Sequence, residues 1–565
     1  MKWNYPTVSR TEIEKEAGKL GLNPILYQFL KNRGITEEDE IDQFFDGSFR
    51  QCHRPTLMID AEKAVMLLHK AIENKELIVV YSDYDCDGIS SAVVGVKLLR
   101  KLGANVEFFT NNRFEHGYGM CVKGVDDLLE MYPKVSLILT TDNGIMAHEG
   151  VQYAKDKGIT VVVTDHHEPG DTLPNADALV NPKRKDCLYP FKGLCGAGVI
   201  FKLMLLLYDK MGRRYSDCYE VLDIVALATV GDIVPLVDEN RILVKAGLRD
   251  IEKEKRTVFR LLREMTKQTE ITAHYTLGFV YVPIMNAIGR LHGDPRKAIE
   301  LFFEEDEDVM REIITELISI NEQRKTMTEE QCQWAVDKIE SAPLPQVIVL
   351  YNEDFHEGIV GLIAGRIKER YNRPTFVFTK FEGGIKGSGR SIDDFHLKES
   401  MDVIRSTVPS LKGGGHAKAC GCHLAEADLE AFTHEMNALA NATLTEDSFI
   451  PKVDVDFVCK LSDLTTDLIY KLKTLEPFGE GNPKPSLAID GVDVDKVFLM
   501  GENKDHIKFA SGSTSIIMWR GAEHYDNIGS PTTIRAIGLP SINVWQGRTS
   551  VQFIVNNNCL LPAGE

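Results

Sequence analysis

Nowhere in this sequence does an apolar run approach the roughly 18–20 residues that a membrane span requires. The opening MKWNYPTVSR has none of the apolar stretch of a signal peptide, so secretion is not expected. Cysteine is sparse and unpatterned. The eleven residues, an odd count, are scattered without a CxxC pair, which speaks against a disulfide framework and for reduced thiols in a cytoplasm-like compartment. Positive charge is also short: 65 Lys and Arg stand against 84 Asp and Glu, a net −19. That balance argues against a general polyanion-binding surface, so a polyanionic partner would need a local positive site. Fixed-period repeats and low-complexity tracts are missing too. What is present, 43% hydrophobic and 26% charged residues over 565 positions, is the composition of a globular chain long enough for several domains.

The hydrophobic pattern divides the chain into five stretches. Residues 1–55 carry short helical patterns, TEIEKEAGKLGL and ITEEDEIDQFF. From 56 to 240, short β-branched runs (ELIVVYS, NVEFFT, VSLILTT, TVVVT) alternate with amphipathic stretches. That alternation predicts an α/β fold with a mostly parallel sheet. Residues 241–340 read as a helical connector whose acidic beginning is a solvated helix face. A second α/β pattern fills 341–445, from QVIVLYN through RPTFVFT to GIKGSGRS. Over 446–565, short strands separated by Gly, Asn and Ser suit a small β-barrel.

The segment VVYSDYDCDGISSAVV sets Asp83, Asp85 and Asp87 at alternate positions directly after an apolar run. In an extended chain these three side chains share one face. A polar turn would explain one such triplet. Three further elements end the same way: LILTTDNG in Asp142, TVVVTDHHEPG in Asp165, His166 and His167, and ALATVGDIVPL in Asp232. The C-terminal ends of parallel strands are where open α/β sheets hold ligands. Carboxylates with imidazoles suit divalent ions, Mn²⁺ better than Ca²⁺. So many acids need more than one ion, and two ions roughly 3.5–4 Å apart would clamp the attacking and leaving oxygens of a phosphoryl displacement. Ions would also supply the positive site that the composition lacks.

These motifs, DYDCDG, TDNG, DHH and VGDIVPL in order, resemble those of the DHH phosphoesterase superfamily. NNRFEHGYGM, VPIMNAIGR, GIVGLIAGRIKERYNRP, GSGRSID, GGGHAKACG and LEPFGEGNPKP extend the likeness over nearly the whole chain, to the RecJ-type exonucleases. The resemblance implies a two-lobed architecture: a parallel-sheet DHH domain, a helical connector, a DHHA1 α/β domain and a C-terminal OB-like barrel. It implies that Asp85, Asp87, Asp142, His166 and Asp232, joined by Asp83, hold two divalent cations, Mn²⁺ or Mg²⁺. His167 faces the scissile phosphate, and Asp165 orients a histidine. Arg290 and His416 join His167 as catalytic groups, and Gly414 and Gly415 let backbone N–H groups approach a phosphate. Arg113, Ser388 and Arg390 resemble the group that holds a 5′-terminal phosphate. Trp519, Arg520, Trp545 and Arg548 are barrel candidates for gripping single-stranded DNA, although a barrel aromatic is more often core. Lys183, Arg184 and Lys185 in NPKRKD either touch the strand or form an ordinary solvated loop.

The family departures, Cys86, Gly231, Met285 and Cys420, remove none of these ligands, and the spacing of His416, Cys420, Cys422 and His423 is not a standard zinc pattern. The activity implied is metal-dependent 5′-to-3′ hydrolysis of single-stranded DNA to 5′-mononucleotides, in repair and recombination, by a cytoplasmic monomer. Helicase or single-strand-binding protein partners are plausible for such an enzyme. Two other readings stay open: a phosphodiesterase for short oligonucleotides or cyclic dinucleotides, and a non-catalytic replication scaffold. The barrel and LEPFGEGNPKP favour the strand-gripping enzyme over the first; the complete set of acids argues against the second.

Overall fold

The run LIVVYS becomes a strand, β1 (Leu77–Ser82), whose alternate side chains enter two different cores. Ile78 and Val80 join the helices on one face, Val79 and Tyr81 those on the other. Burial on both faces explains why the segment is continuously apolar rather than alternating. Helix α1 (Cys86–Lys101) follows, then β2 (Asn105–Thr110), β3 (Val135–Thr141), β4 (Thr160–Thr164) and β5 (Ala178–Val180). All five strands are parallel, in the order β2-β1-β3-β4-β5. The computed structural model describes residues 1–512, 514–545 and 547–563, and of Trp545 only the backbone.

The register lines the strand ends up. Thr110, Ser82, Thr141, Thr164 and Val180 form one row across the sheet. The next residues, Asn111, Asp83, Asp142, Asp165 and Asn181, therefore stand along its C-terminal edge. The strand order reverses between β1 and β3, the switch point at which doubly wound sheets open a ligand crevice. Helices α2 (Gly196–Lys210) and α3 (Leu222–Gly231) close the domain.

Helix α4 (Val282–Leu291) leads to the 34-residue helix α5 (Glu307–Glu340). Asp306 caps α5 by accepting the Asp308 and Val309 N–H groups. Its buried stripe, Met310, Ile314, Leu317, Asn321, Thr328, Ala335 and Ile339, packs on α4 and on α6 (Val360–Tyr371). The second lobe is a mixed sheet of β6 (Ile348–Tyr351), β7 (Thr375–Phe381), β8 (Gly384–Arg390), β9 (Lys412–Gly415) and β10 (Ala419–Leu424), in the order β9-β10-β8-β7-β6. Only β6 and β7 run parallel.

These elements belong to one unit, Phe49–Phe449 with Gly479–Gly481. The other unit joins Met1–Ser48 to Ile450–Phe478 and Asn482–Glu565. There the three N-terminal helices share a core with a seven-stranded sheet: Ile13, Phe29 and Leu30 pack with Leu487, Phe509 and Phe553. Among the described residues no helix is long and apolar enough to cross a membrane.

Candidate metal centre

The alternating aspartates do not lie on a strand. β1 stops at Ser82 and α1 starts at Cys86. Asp85 is the N-cap, accepting the N–H groups of Asp87 (3.0 Å) and Gly88 (3.1 Å). The extended-chain reading of this triplet is thus corrected, because an Asp just before a helical run caps it in preference to extending the strand. The turn is tight enough that a methyl group at Gly88 would run into the Asp83 carbonyl. Asn286 of α4 anchors it by accepting the Cys86 N–H at 2.7 Å.

Asp87, in the first turn of α1, faces the start of α2 and accepts the N–H groups of Gly196 (2.6 Å) and Ala197 (2.8 Å). Asp142 follows β3 in a left-handed conformation, φ 63°, which Asp tolerates better than most residues. Gly196 lies against its Cβ, leaving no room for a side chain. Asp232 is the C-cap of α3. The ligand atoms of Asp83, Asp85 and Asp142 lie within 4.8 Å of one another, as do those of Asp87, His166 and Asp232. Asp142 also groups with His166 and His167, so it bridges the two sets.

His166 Nε2 lies 3.1 Å from Asp142 Oδ1, 3.5 Å from Asp232 Oδ2 and 3.6 Å from Asp87 Oδ2. Neither that nitrogen nor Asp142 Oδ1 makes a hydrogen bond, and Asp83 Oδ1 is equally orphaned. Burial and the charge of His167 press the His166 pKa down to about 3, so the imidazole is a neutral lone-pair donor. Burial first, and then the neighbouring carboxylates, push Asp83, Asp142 and Asp232 well above the usual carboxylate range, and Asp87 up to about 6. Buried acids and a neutral imidazole aimed at shared points, without hydrogen-bond partners, fit divalent cations.

Asp165 is fully buried. Its Oδ1 accepts the N–H groups of His166 (2.7 Å) and His167 (3.0 Å) and lies 2.8 Å from His167 Nδ1, while Oδ2 accepts the Ile145 N–H at 2.8 Å. Burial alone would lower the His167 pKa, but the Asp165 bond and the surrounding carboxylates raise it overall. Asp165→Asn can satisfy only one side of this set. We expect it to cost about 10–100-fold in kcat through a misoriented His167, and about 1–3 kcal/mol of stability from the N–H left facing an amide. Steady-state kinetics and thermal melts of the variant measure both.

Sequence reasoning missed three contributors. Tyr118, in NNRFEHGYGM, places its hydroxyl 2.9 Å from His167 Nδ1. Asn286 sits inside a quoted motif, and its signal was an Asn on an apolar helix one turn before Arg290. The α2 amides that hold Asp87 had their signal in the glycines of CGAGV, opening a helical run.

Arg290 is largely buried and lowered to about 10, first by burial and then by the charge of Arg113, while Asp85 opposes the shift and Arg324 and Arg390 add to it. Arg113 stacks over the Tyr84 ring at 5.1 Å. In the second lobe, Arg390 Nη1 donates to Ser388 Oγ (2.9 Å) and to the Gly389 carbonyl (2.8 Å). Gly361, in the first turn of α6, faces both side chains. Among the described residues Arg113, Arg290 and Arg390 make no ion pair with a carboxylate. Gly414 stands in one row with Gly421 and Ser388, and Gly415 with Cys420 and Gly389. His416 follows on the β9–β10 turn with its imidazole exposed. Cys420 and Cys422 are buried whereas His416 and His423 are exposed, so the four do not converge.

In the other unit, Trp519 is half exposed and meets the His506 ring edge-on at 5.1 Å. Arg520, at φ 52°, donates its N–H to His506 Nδ1. Arg548 begins an exposed strand end, and the Trp545 side chain lies outside the described residues.

Residues 77–229, the doubly wound sheet with acids and imidazoles at its switch point, match the DHH family N-terminal domain. Residues 344–442 match the DHHA1 domain and 455–557 the RecJ OB domain. The single-stranded-DNA-specific exonuclease RecJ of Bacillus subtilis (strain 168) is 33% identical over 99% of this chain and 70% of its own length. That of Escherichia coli (strain K12) is 34% identical over 97% of this chain and 98% of its own. This chain belongs to the RecJ family. The crystal structure of RecJ in complex with Mn²⁺ from Thermus thermophilus superposes with a TM-score of 0.85 at 27% identity, covering all of this chain and 80% of that one. A Mg²⁺ complex from the same organism gives 0.79.

Proposed function

We propose that this chain is a metal-dependent exonuclease that shortens single-stranded DNA from its 5′ end and releases 5′-mononucleotides. The observation that carries the reading is the convergence of Asp87, Asp142 and Asp232 on the unpartnered His166 Nε2. Asp83, Asp85, Asp87, Asp142, His166 and Asp232 would hold divalent ions, which when bound would supply the Lewis acidity for activating water and neutralising charge on the phosphodiester.

The remaining work falls to the protein. His167, fixed at Nδ1 by Asp165, presents Nε2 to a non-bridging oxygen of the scissile phosphate. Arg290 stabilises the same charge from the Asp85 side, and His416 approaches from the second lobe with the Gly414 and Gly415 backbone. Arg113, Ser388 and Arg390 hold the 5′-terminal phosphate, and because they lack carboxylate partners they are free to take it. The Trp519 and Arg520 region of the OB domain offers single-stranded DNA an exposed ring beside a cation. An enzyme confined to single strands depends on a strand-separating helicase for duplex DNA. The buried free thiols suit a reducing cytoplasm.

Digestion of end-labelled single strands with Mn²⁺, with Mg²⁺ and with chelator tests the proposal. A 5′ label should appear first as a mononucleotide, only with metal. Release of internal fragments, early release of the 3′-terminal mononucleotide, or undiminished digestion in chelator would defeat it. Arg390→Ala should reduce the preference for 5′-phosphorylated over 5′-hydroxyl ends about tenfold or more, since charged hydrogen bonds contribute about 1.5–3 kcal/mol. The ratio of kcat/KM on the two ends measures this.

A further inference from the structure

The loop after β5 is held by three polar side chains, of which Asn181 and Arg184 are buried. Asn181 donates to the His167 carbonyl (2.9 Å) and accepts the Lys183 N–H (2.7 Å). Arg184 donates to the Leu179 carbonyl (2.6 Å) and pairs with Asp60 (3.0 Å) and Asp186 (2.7 Å). Lys192 donates to the carbonyls of Pro182 (2.6 Å) and Cys187 (2.8 Å). This corrects the view of Arg184 as a strand contact: it is 8% exposed and its charge is spent inside the loop. Lys183 differs. It is half-buried, its ammonium lies 3.3 Å from the exposed Glu168, and its charge reaches both Asp232 and His166. An ion pair with one exposed partner is weak and easily exchanged.

Its position in the sheet gives it a role. Along the row of strand ends, Arg113 follows β2, the acids and imidazoles follow β1, β3 and β4, and Lys183 follows β5. Cations therefore close both ends of the row. Arg113 acts on Asp83, on one side of Asp142, and Lys183 on His166 and Asp232, on the other. Four inter-strand spacings of about 4.8 Å separate β2 from β5, about 19 Å in all. That row is long enough for more than the scissile phosphate and the terminal one.

We propose that Lys183 holds the next phosphate on the 3′ side of the scissile one, the first internucleotide phosphate of the strand that remains after each cut. The inference rests on the 5′-end polarity proposed above: a strand anchored at Arg113, Ser388 and Arg390 and crossing the acids leaves over β5. A 5′-phosphorylated dinucleotide has no such phosphate, whereas a pentanucleotide has.

The test measures kcat and KM with Mn²⁺ on these two substrates for wild type, Lys183→Ala, Lys183→Arg and Lys185→Ala, the last removing an exposed charge from the same loop. Lys183→Ala should raise KM about tenfold for the pentanucleotide and at most about twofold for the dinucleotide. Lys183→Arg should recover most of the loss, and Lys185→Ala should match wild type. The slope of log KM against log salt on the pentanucleotide should fall by about 0.7, the value for one phosphate contact on a single strand. Equal effects on the two substrates, a kcat loss on both, or an unchanged salt slope would overturn the assignment. If Lys183→Ala melts lower than wild type, Lys183→Arg against Lys183→Gln, which keep the stem, make the same comparison. Wild-type enzyme that cleaves neither substrate from its 5′ end defeats the polarity itself; wild type that cleaves both, beside an indistinguishable Lys183→Ala, defeats only the role of Lys183.

Discussion

Asp142→Asn is expected to reduce strand cleavage about 1,000-fold or more, equivalent to about 4 kcal/mol of barrier, while leaving the metal-free protein at least as stable as wild type. Asp142 belongs to both donor groups, with Asp83 and Asp85 on one side and His166 and His167 on the other. An amide at this position keeps the shape and tolerates φ 63°, but it brings no charge to the cations. Burial and four neighbouring carboxylates hold the Asp142 carboxyl well above its ordinary pKa, so removing its charge relieves repulsion instead of breaking a stabilising contact. The outcome therefore separates into two readouts. Turnover in Mn²⁺ should collapse, and the melting temperature in chelator at pH 8 should hold or rise. Turnover within about tenfold of wild type would remove Asp142 from the ligand set. A melting temperature lowered by many degrees would mean that the residue serves the fold.

The sheet was readable in the sequence because strands buried on both faces cannot alternate, and LIVVYS, VSLILTT and TVVVT stand out as unbroken apolar runs. The residues at their ends were readable for a related reason. Asp83, Asp142, Asp165 and His166 each follow such a run, and polar groups placed there must face the crevice at the sheet edge. The path of the chain between Asp83 and Asp87 was not readable by alternation. Period-2 spacing is compatible with a strand, but an N-cap satisfies two amide donors, and Asp85 takes that role. The support given to Asp87 by Gly196 and Ala197 comes from 109 and 110 positions away, a separation that no local pattern records. The pairing of the N-terminal helices with the C-terminal sheet is equally non-local: Phe29 and Phe509 share a core although their apolar stripes look like those of any amphipathic element. Exposure was another gap. Trp519, open to the reading of a core aromatic, is half exposed, and only the fold of the sheet decides which face it takes.

Removing the metal should abolish cleavage and give the protein an unusual pH dependence of stability. Asp83, Asp142 and Asp232 have folded-state pKa values well above the unfolded one, and Asp87 is at about 6. The folded chain then binds more protons than the unfolded chain, so stability falls as pH rises through the folded values. His167, also raised, acts in the same direction. His166 opposes them only below pH 6.5: its folded pKa of about 3 makes the unfolded chain the better proton binder between those limits. Above pH 6.5 that opposition is spent. In chelator the melting temperature should therefore decline by several degrees between pH 6.5 and 8.5, each unit of pKa shift being equivalent to about 1.4 kcal/mol. Divalent cations remove the cause, because charged carboxylates are what they bind. Added Mn²⁺ should raise the melting temperature at every pH, adding about 4 kcal/mol of stability where the free ion exceeds its dissociation constant 1,000-fold, and the increment should grow with pH. Calorimetry in matched buffers with and without Mn²⁺ makes the comparison. A melting temperature in chelator that stays flat or climbs over this range would show that the carboxylates are not crowded together, and the cation-binding argument would lose its physical basis.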